Sequence, residues 1–302
     1  MPCTTGSNVA RSRMTSRLGR FRTPLLLAML IAALATSVSA QFQGGRGFRG
    51  GRGGGGRGGG FGYRGLPANP QYDGAFMFCR VMYRNASDGD GGSWAVDSPK
   101  ADENLSYRFS ELTRTIVSRD ALGNFNHVYL QLTDAETLAK CPFIMLTEAG
   151  ATYLDEAEAS GLRTYLQKGG FLWADDFWGE YAWAHWENEI RKVLPSGEYP
   201  LLELPLEHPI FHTLYDVKSK AQIPSIGYWY SSGGRTSERF DSAVPHTRAI
   251  TDKDGHVMVV MTHNTDFGDA FEREGESREY FETFAGPGYA FGVDVLIYSL
   301  TH

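Results

Sequence analysis

Apolar and polar positions divide the chain from about residue 74 onward into alternating strand-like and helix-like stretches. The run 162–176 sets the pattern. Leu162, Tyr165 and Leu166 recur at helical spacing, Gly169 stands where a left-handed cap is needed, and 171–174 is an unbroken apolar run closed by Asp175 and Asp176. That is one helix-to-strand unit. Upstream, 75–82 reads as a first strand and 85–99 as a Gly- and Asp-rich loop carrying Trp94. A helix entered through Asp102–Asn104 follows, marked by Leu105, Phe109, Leu112 and Ile116. Strands are expected at 127–132 and 143–146, with a short helical link at 135–140 between them. Downstream, 180–193 is helical and crowded with Tyr181, Trp183 and Trp186, which the pattern assigns mainly to the core, with one or two aromatics left for a pocket rim. An apolar stretch at 201–206, a hairpin formed by 248–251 and 257–261, and a closing helix at 289–300 complete the domain. Short continuous apolar strands alternating with helices predict an α/β three-layer sandwich, its mostly parallel sheet covered by helices on both faces.

Composition changes the picture at the N-terminus. Arg11, Arg13, Arg17, Arg20 and Arg22 precede an apolar core at 25–35 and a small-residue site at Val38–Ala40, so 1–40 is expected to be a cleaved secretory signal. An uncleaved anchor needs a longer apolar run. Residues 41–73 form a Gly/Arg-rich arm with Phe42, Phe48, Phe61 and Tyr63 interspersed, too poor in apolar side chains to offset the entropy of ordering. Behind an export signal this arm is expected to be a spacer rather than a nucleic-acid binder, and the domain is 74–302. The net charge of −6 includes the basic N-terminus, which leaves the folded part more acidic and disfavours nucleic acid. Cys79 and Cys141 each sit in an apolar segment. They are expected as buried free thiols, with a single bridge as the alternative in an oxidising compartment.

The candidate chemistry is acidic. Ligands of open parallel sheets gather beyond the carboxyl ends of the strands, where Glu148, Asp175 and Asp176 fall. Successive strand residues face opposite ways, so one aspartate is expected in the crevice and the other as the cap of the next helix. Asp176 is assigned the cap. Asp175 is either a site carboxylate or an acid satisfied by loop amides. Asp266 and Asp269 flank Gly268 as turn formers or as hard oxygen ligands. His208 and Trp178 complete the candidate ligand contacts, although Pro209 keeps His208 and His212 from sharing a helical metal face. No motif requires a cofactor, and a divalent cation is the one cofactor left open.

The series Phe78–Tyr83, Trp94, Gly169–Asp176, Glu207–Phe211, Asp266–Asp269 and Gly292–His302 resembles the bacterial family called domain of unknown function 4159. The resemblance implies an exported protein of the class I glutamine-amidotransferase-like, flavodoxin-type superfamily, and no activity. Catalytic members of that superfamily place a cysteine on a strand-to-helix turn; here the strand ends read Thr147–Gly150 and Trp173–Asp176, with none. Two functions remain. One is a non-catalytic envelope module binding a small molecule, glycan or envelope protein at an acidic, aromatic-rimmed crevice, without a transmembrane span in the mature chain. The other is a carboxylate-dependent hydrolase, with or without a metal, using Asp175 with Glu148 or Asp269.

Overall fold

A computed structural model describes residues 66 and 68–302; the segments read as signal and as the arm up to residue 65 lie outside the described residues. Strands β1 (Phe78–Val81), β3 (His127–Leu130), β4 (Phe143–Leu146), β6 (Phe171–Ala174) and β9 (Val257–His263) are mutually parallel. Their order, β3-β1-β4-β6-β9, reverses direction between β1 and β4. β8 (His246–Thr251) and β7 (Leu201–Glu203) extend the sheet antiparallel to their neighbours, giving seven strands in all. A separate pair joins β2 (Arg84–Asn85) to β5 (Thr152–Tyr153).

Strand alternation sorts the side chains into two cores. Phe143, Met145, Phe171 and Trp173 face α1 (Lys100–Leu112), α6 (Phe267–Glu272) and α8 (Gly286–Thr301). Ile144, Leu146, Leu172 and Ala174 face α2 (Ala135–Leu138), α3 (Glu156–Gln167) and α4 (Gly179–Val193). Each of the larger side chains contributes about 1.5–3 kcal/mol on burial, so both faces must be covered, as the continuous apolar strands predict. Two shorter elements cross the carboxyl side: α5 (Ile226–Ser231) and the turn α7 (Arg278–Tyr280), which runs through π-helical Phe281–Ala285 into α8.

Local chemistry sets several boundaries differently from the periodicity. α1 begins at Lys100 and ends at Leu112, where the Thr113 hydroxyl donates to the Phe109 carbonyl; Ile116 lies beyond it, 78% exposed. α3 opens on a capping box between Asp155 and Glu158 and closes before Gly169, which has φ +92°. Residues 68–73, placed by the sequence in the arm, include Asn69, whose side chain exchanges hydrogen bonds with the Tyr129 backbone and so covers the β3 edge. Of the aromatics around α4, Trp186 is core, Trp183 is partly buried beneath the Arg248 guanidinium, and Tyr181 is exposed.

The cysteines correct the expectation of free thiols. Cys79 and Cys141 form a disulfide with Cα atoms 6.1 Å apart. Cys79 lies within β1 and Cys141 just before β4, so parallel pairing of those strands brings together residues 62 apart in sequence. Hydrophobic surroundings looked the same in the sequence for a thiol and for half a bridge.

Candidate functional site

Asp175 has not left the sheet. Its amide donates to the Leu146 carbonyl at 3.0 Å, so strand alternation continues and sends its side chain to the face of Phe171 and Trp173. There it is fully buried. One oxygen accepts from the Thr262 hydroxyl, which itself accepts from the Trp173 indole at 2.7 Å; the other accepts from the amides of Phe267 (2.9 Å) and Gly268 (3.2 Å). Burial pushes the Asp175 carboxyl up to about 7, against the opposing pull of these donors. Of its two sequence readings, the acid satisfied by loop amides is the one formed.

Asp176 turns the chain, with φ +55°. It does not cap α4, which corrects the role expected of it. The first amides of that helix are taken by Asn264 Oδ1 (from Gly179, 2.8 Å) and Asp241 Oδ2 (from Glu180, 3.1 Å). The Asp176 carboxylate accepts from the Trp178 indole at 3.1 Å and otherwise faces other acids.

Those acids come from separate strand ends. Asp97, in the loop between β2 and α1, has φ +62° and is 8% exposed. Arg80 on β1 holds that loop by donating to the carbonyls of Trp94 (3.2 Å) and Val96 (3.1 Å) while paired, fully buried, with Asp102. Asp266, in the loop after β9, caps α6 by accepting from the Asp269 amide at 2.7 Å. A Cβ at Gly268 would lie 2.2 Å from Asp97 Oδ2, so any larger residue there would displace that carboxylate. One carboxylate oxygen from each of Asp97, Asp176 and Asp266 lies within 4.8 Å of the others, and a second grouping joins Asp97 to Asp269 and Glu272. Burial first, then the charge of neighbouring acids (Asp269 on Asp97, Glu148 on Asp176, Asp176 on Asp266), holds Asp97, Asp176 and Asp266 well above the ordinary carboxylate range. Asp269 differs: it accepts from the Ile226 amide at 2.6 Å and from Arg273 at 3.4 Å.

Glu148, after β4, borders the cluster with φ +54°. Burial raises it to about 7, the Gly92 amide opposes that rise, and Asp90 and Glu238 reinforce it. Among the described residues, the non-glycine positions with positive φ are Asp97, Glu148, Asp176 and Asn264, and all four lie at this carboxyl edge.

A family model described as Domain of unknown function (DUF4159) matches residues 77–300. The chain belongs to that family. No curated protein matches it. Every acid described above lies inside the DUF4159 match.

The DUF4159 domain brings together Asp176, Asp266 and Asp269, sets Glu148 beside them and Trp178 against Asp176, and places Asp175 beneath the α6 amides. It does not bring His208 to the same place. That ring lies 5.8 Å from Tyr298, whose hydroxyl accepts from the amide of Val257 at the start of β9, the opposite end of the sheet. Sequence reasoning missed Asp97 and Glu272. Asp97 follows the first strand in a Gly-rich loop, a place where doubly wound sheets bind ligands, and Glu272 lies one helical turn from Asp269; both signals were present.

Proposed function

We propose that this DUF4159 protein is an exported, non-catalytic binding module whose ligand is held at the carboxyl edge of the sheet, over Asp97, Asp176 and Asp266. The observation that carries the reading is the gathering of left-handed, non-glycine backbone at that edge. Such conformations cost about 1–3 kcal/mol each and persist where ligand sites are held in place by their surroundings. The strand order reverses beside β1, the arrangement of flavodoxin-like sheets that bind ligands at that crossing, and this supports the wider flavodoxin-type superfamily assignment. Export is supported by the Cys79–Cys141 bridge, because disulfides persist in oxidising compartments. Among the described residues no helix is long and apolar enough to cross a membrane. The partner class is a small molecule, a glycan or an envelope protein.

A carboxylate-dependent hydrolase is the second reading, favoured by Glu148, a proton-holding group near neutrality beside Asp176. Against it, the amides and hydroxyl on Asp175 occupy the carboxylate such an enzyme would use. Native mass spectrometry of the mature protein from its own envelope tests the binding reading. A retained ligand that disappears in Asp176→Asn is expected. Turnover of ester, phosphate or glycoside substrates that Glu148→Gln abolishes would establish the hydrolase instead.

A further inference from the structure

We propose that Asp97, Asp176 and Asp266 form a mononuclear site for a hard divalent cation of the calcium, magnesium or manganese class. This deepens the binding-module reading and rests on it for the location of the site. Asp176 and Asp266 follow the ends of β6 and β9, Asp97 comes from the loop between β2 and α1, and one oxygen of each lies within 4.8 Å of the others, a spacing that a single ion can bridge. Oxygen-only donors select hard cations over zinc or copper.

Independent support comes from Asp97. Its Oδ2 is buried without a hydrogen-bond partner, on a residue 8% exposed. A buried carboxylate oxygen left unpaired costs several kcal/mol, and native folds supply a proton, a donor or a metal. Among the described residues no protein group donates to that oxygen. Arg80 spends its guanidinium on Asp102 and on the carbonyls of Trp94 and Val96, and the residue packed against Asp97 Oδ2 is the side-chain-free Gly268. A cation here would neutralise charge that no side chain pairs.

The second acidic grouping, Asp97 with Asp269 and Glu272, is distinguished by its charge balance. Arg273 Nε lies 3.4 Å from Asp269 Oδ1 and 2.7 Å from Glu272 Oε2, and the Ile226 amide takes Asp269 Oδ2. Asp269 and Glu272 thus already share a cation, and Asp97 does not. The ion therefore belongs between Asp97, Asp176 and Asp266, with the Asp269–Arg273–Glu272 group as the wall beside it.

The experiment uses the mature full chain, stripped with EDTA and dialysed, then titrated with CaCl2, MgCl2 and MnCl2 by calorimetry and followed by thermal melting. One cation per chain is expected, with a raised melting temperature and affinity in or above the range of about 10⁻⁴–10⁻³ M typical of extracellular calcium modules. Asp97→Asn and Asp176→Asn should each weaken binding by about tenfold or more while the protein stays folded by circular dichroism, and Glu272→Gln should leave it within a few-fold. Asp266 also caps α6, so the two other aspartates carry the test. Absence of binding to the folded protein at about 10 mM of all three ions would overturn the site. So would binding indifferent to Asp97→Asn and Asp176→Asn, or two cations per chain. If no cation binds yet a copurified ligand is lost in Asp176→Asn, the cation inference falls and the binding module stands. If one cation binds and no other ligand is ever retained, the cation site stands and the module reading falls.

Discussion

At the scale of single residues, Asp175 and Asp176 are chemically identical neighbours in different physical situations. Asp175 is a clasp, tying the end of β6 to the α6 amides and to Thr262. Asp176 is surrounded by like charge. In metal-free protein, Asp175→Ala is therefore expected to cost on the order of 3 kcal/mol, because it strands two buried amides and a hydroxyl. Asp176→Ala should leave stability unchanged or raise it, since it removes repulsion among buried carboxylates. Urea denaturation in EDTA measures both; a larger loss in Asp176→Ala would return the clasp role to Asp176. The sequence placed both residues at the correct edge and assigned Asp176 the wrong task. Asp175 lies one residue past the apolar run, yet its amide is still in the ladder, a backbone fact that carries no side-chain signature.

At the scale of elements, two long-range ties organise the site. Arg80 connects β1 to the loop that carries Asp97 and to Asp102 at the start of α1. Arg80→Met should destabilise the fold by about 3–5 kcal/mol, since it leaves Asp102 buried without its partner; adding Asp102→Leu should recover much of that loss. Equal losses in the single and double variants would show that the loop carbonyls, not the charge pair, dominate. The second tie is the disulfide. With its cysteines 62 positions apart in sequence, the bridge should contribute about 4 kcal/mol through the unfolded chain. The Cys79→Ala/Cys141→Ala variant should show that loss in denaturant melts. Denatured mature protein, beginning after the expected signal and so without Cys3, should react with thiol reagents only after reduction, and labelling without reductant would contradict the bridge.

For the whole molecule, the response to pH is set by buried groups of opposite sign. His263 is fully buried at the end of β9; its ring lies beside Gly179 O and Arg248 Nη1 and stacks on Phe177. Burial, with the charge of Arg248 adding, lowers its pKa to about 4, while the Gly179 carbonyl opposes the shift. As pH falls below the ordinary histidine value near 6.5, the unfolded chain takes up a proton that the folded chain refuses. Stability from neutral His263 is complete above about 6.5 and is lost as pH falls toward about 4, by at most about 3 kcal/mol. Relative to His263→Asn, wild-type protein should lose stability over that interval in urea melts. Parallel profiles would show that His263 titrates normally. Asp175 acts in the other sense: raised to about 7, it favours the folded state most below about 4 and loses that contribution as pH climbs to about 7. The difference between wild type and variant isolates the histidine.

The architecture was legible because it is repetitive. Continuous apolar strands such as Phe143–Leu146 and Phe171–Ala174, separated by amphipathic helices, have one economical solution, a parallel sheet covered on both faces, and that solution puts Glu148, Asp175 and Asp176 at one edge. The contacts that make the site span far greater separations. Asp97 reaches Asp266 only because β1, β6 and β9 share a sheet, Cys79 reaches Cys141 only because β1 pairs with β4, and Gly268 matters only because a carboxylate from another loop rests against it. Periodicity encodes which face of an element is buried, a local property of a few neighbouring residues. Which charges share that burial depends on how distant strands are ordered, and that was decided by the packing of the sheet.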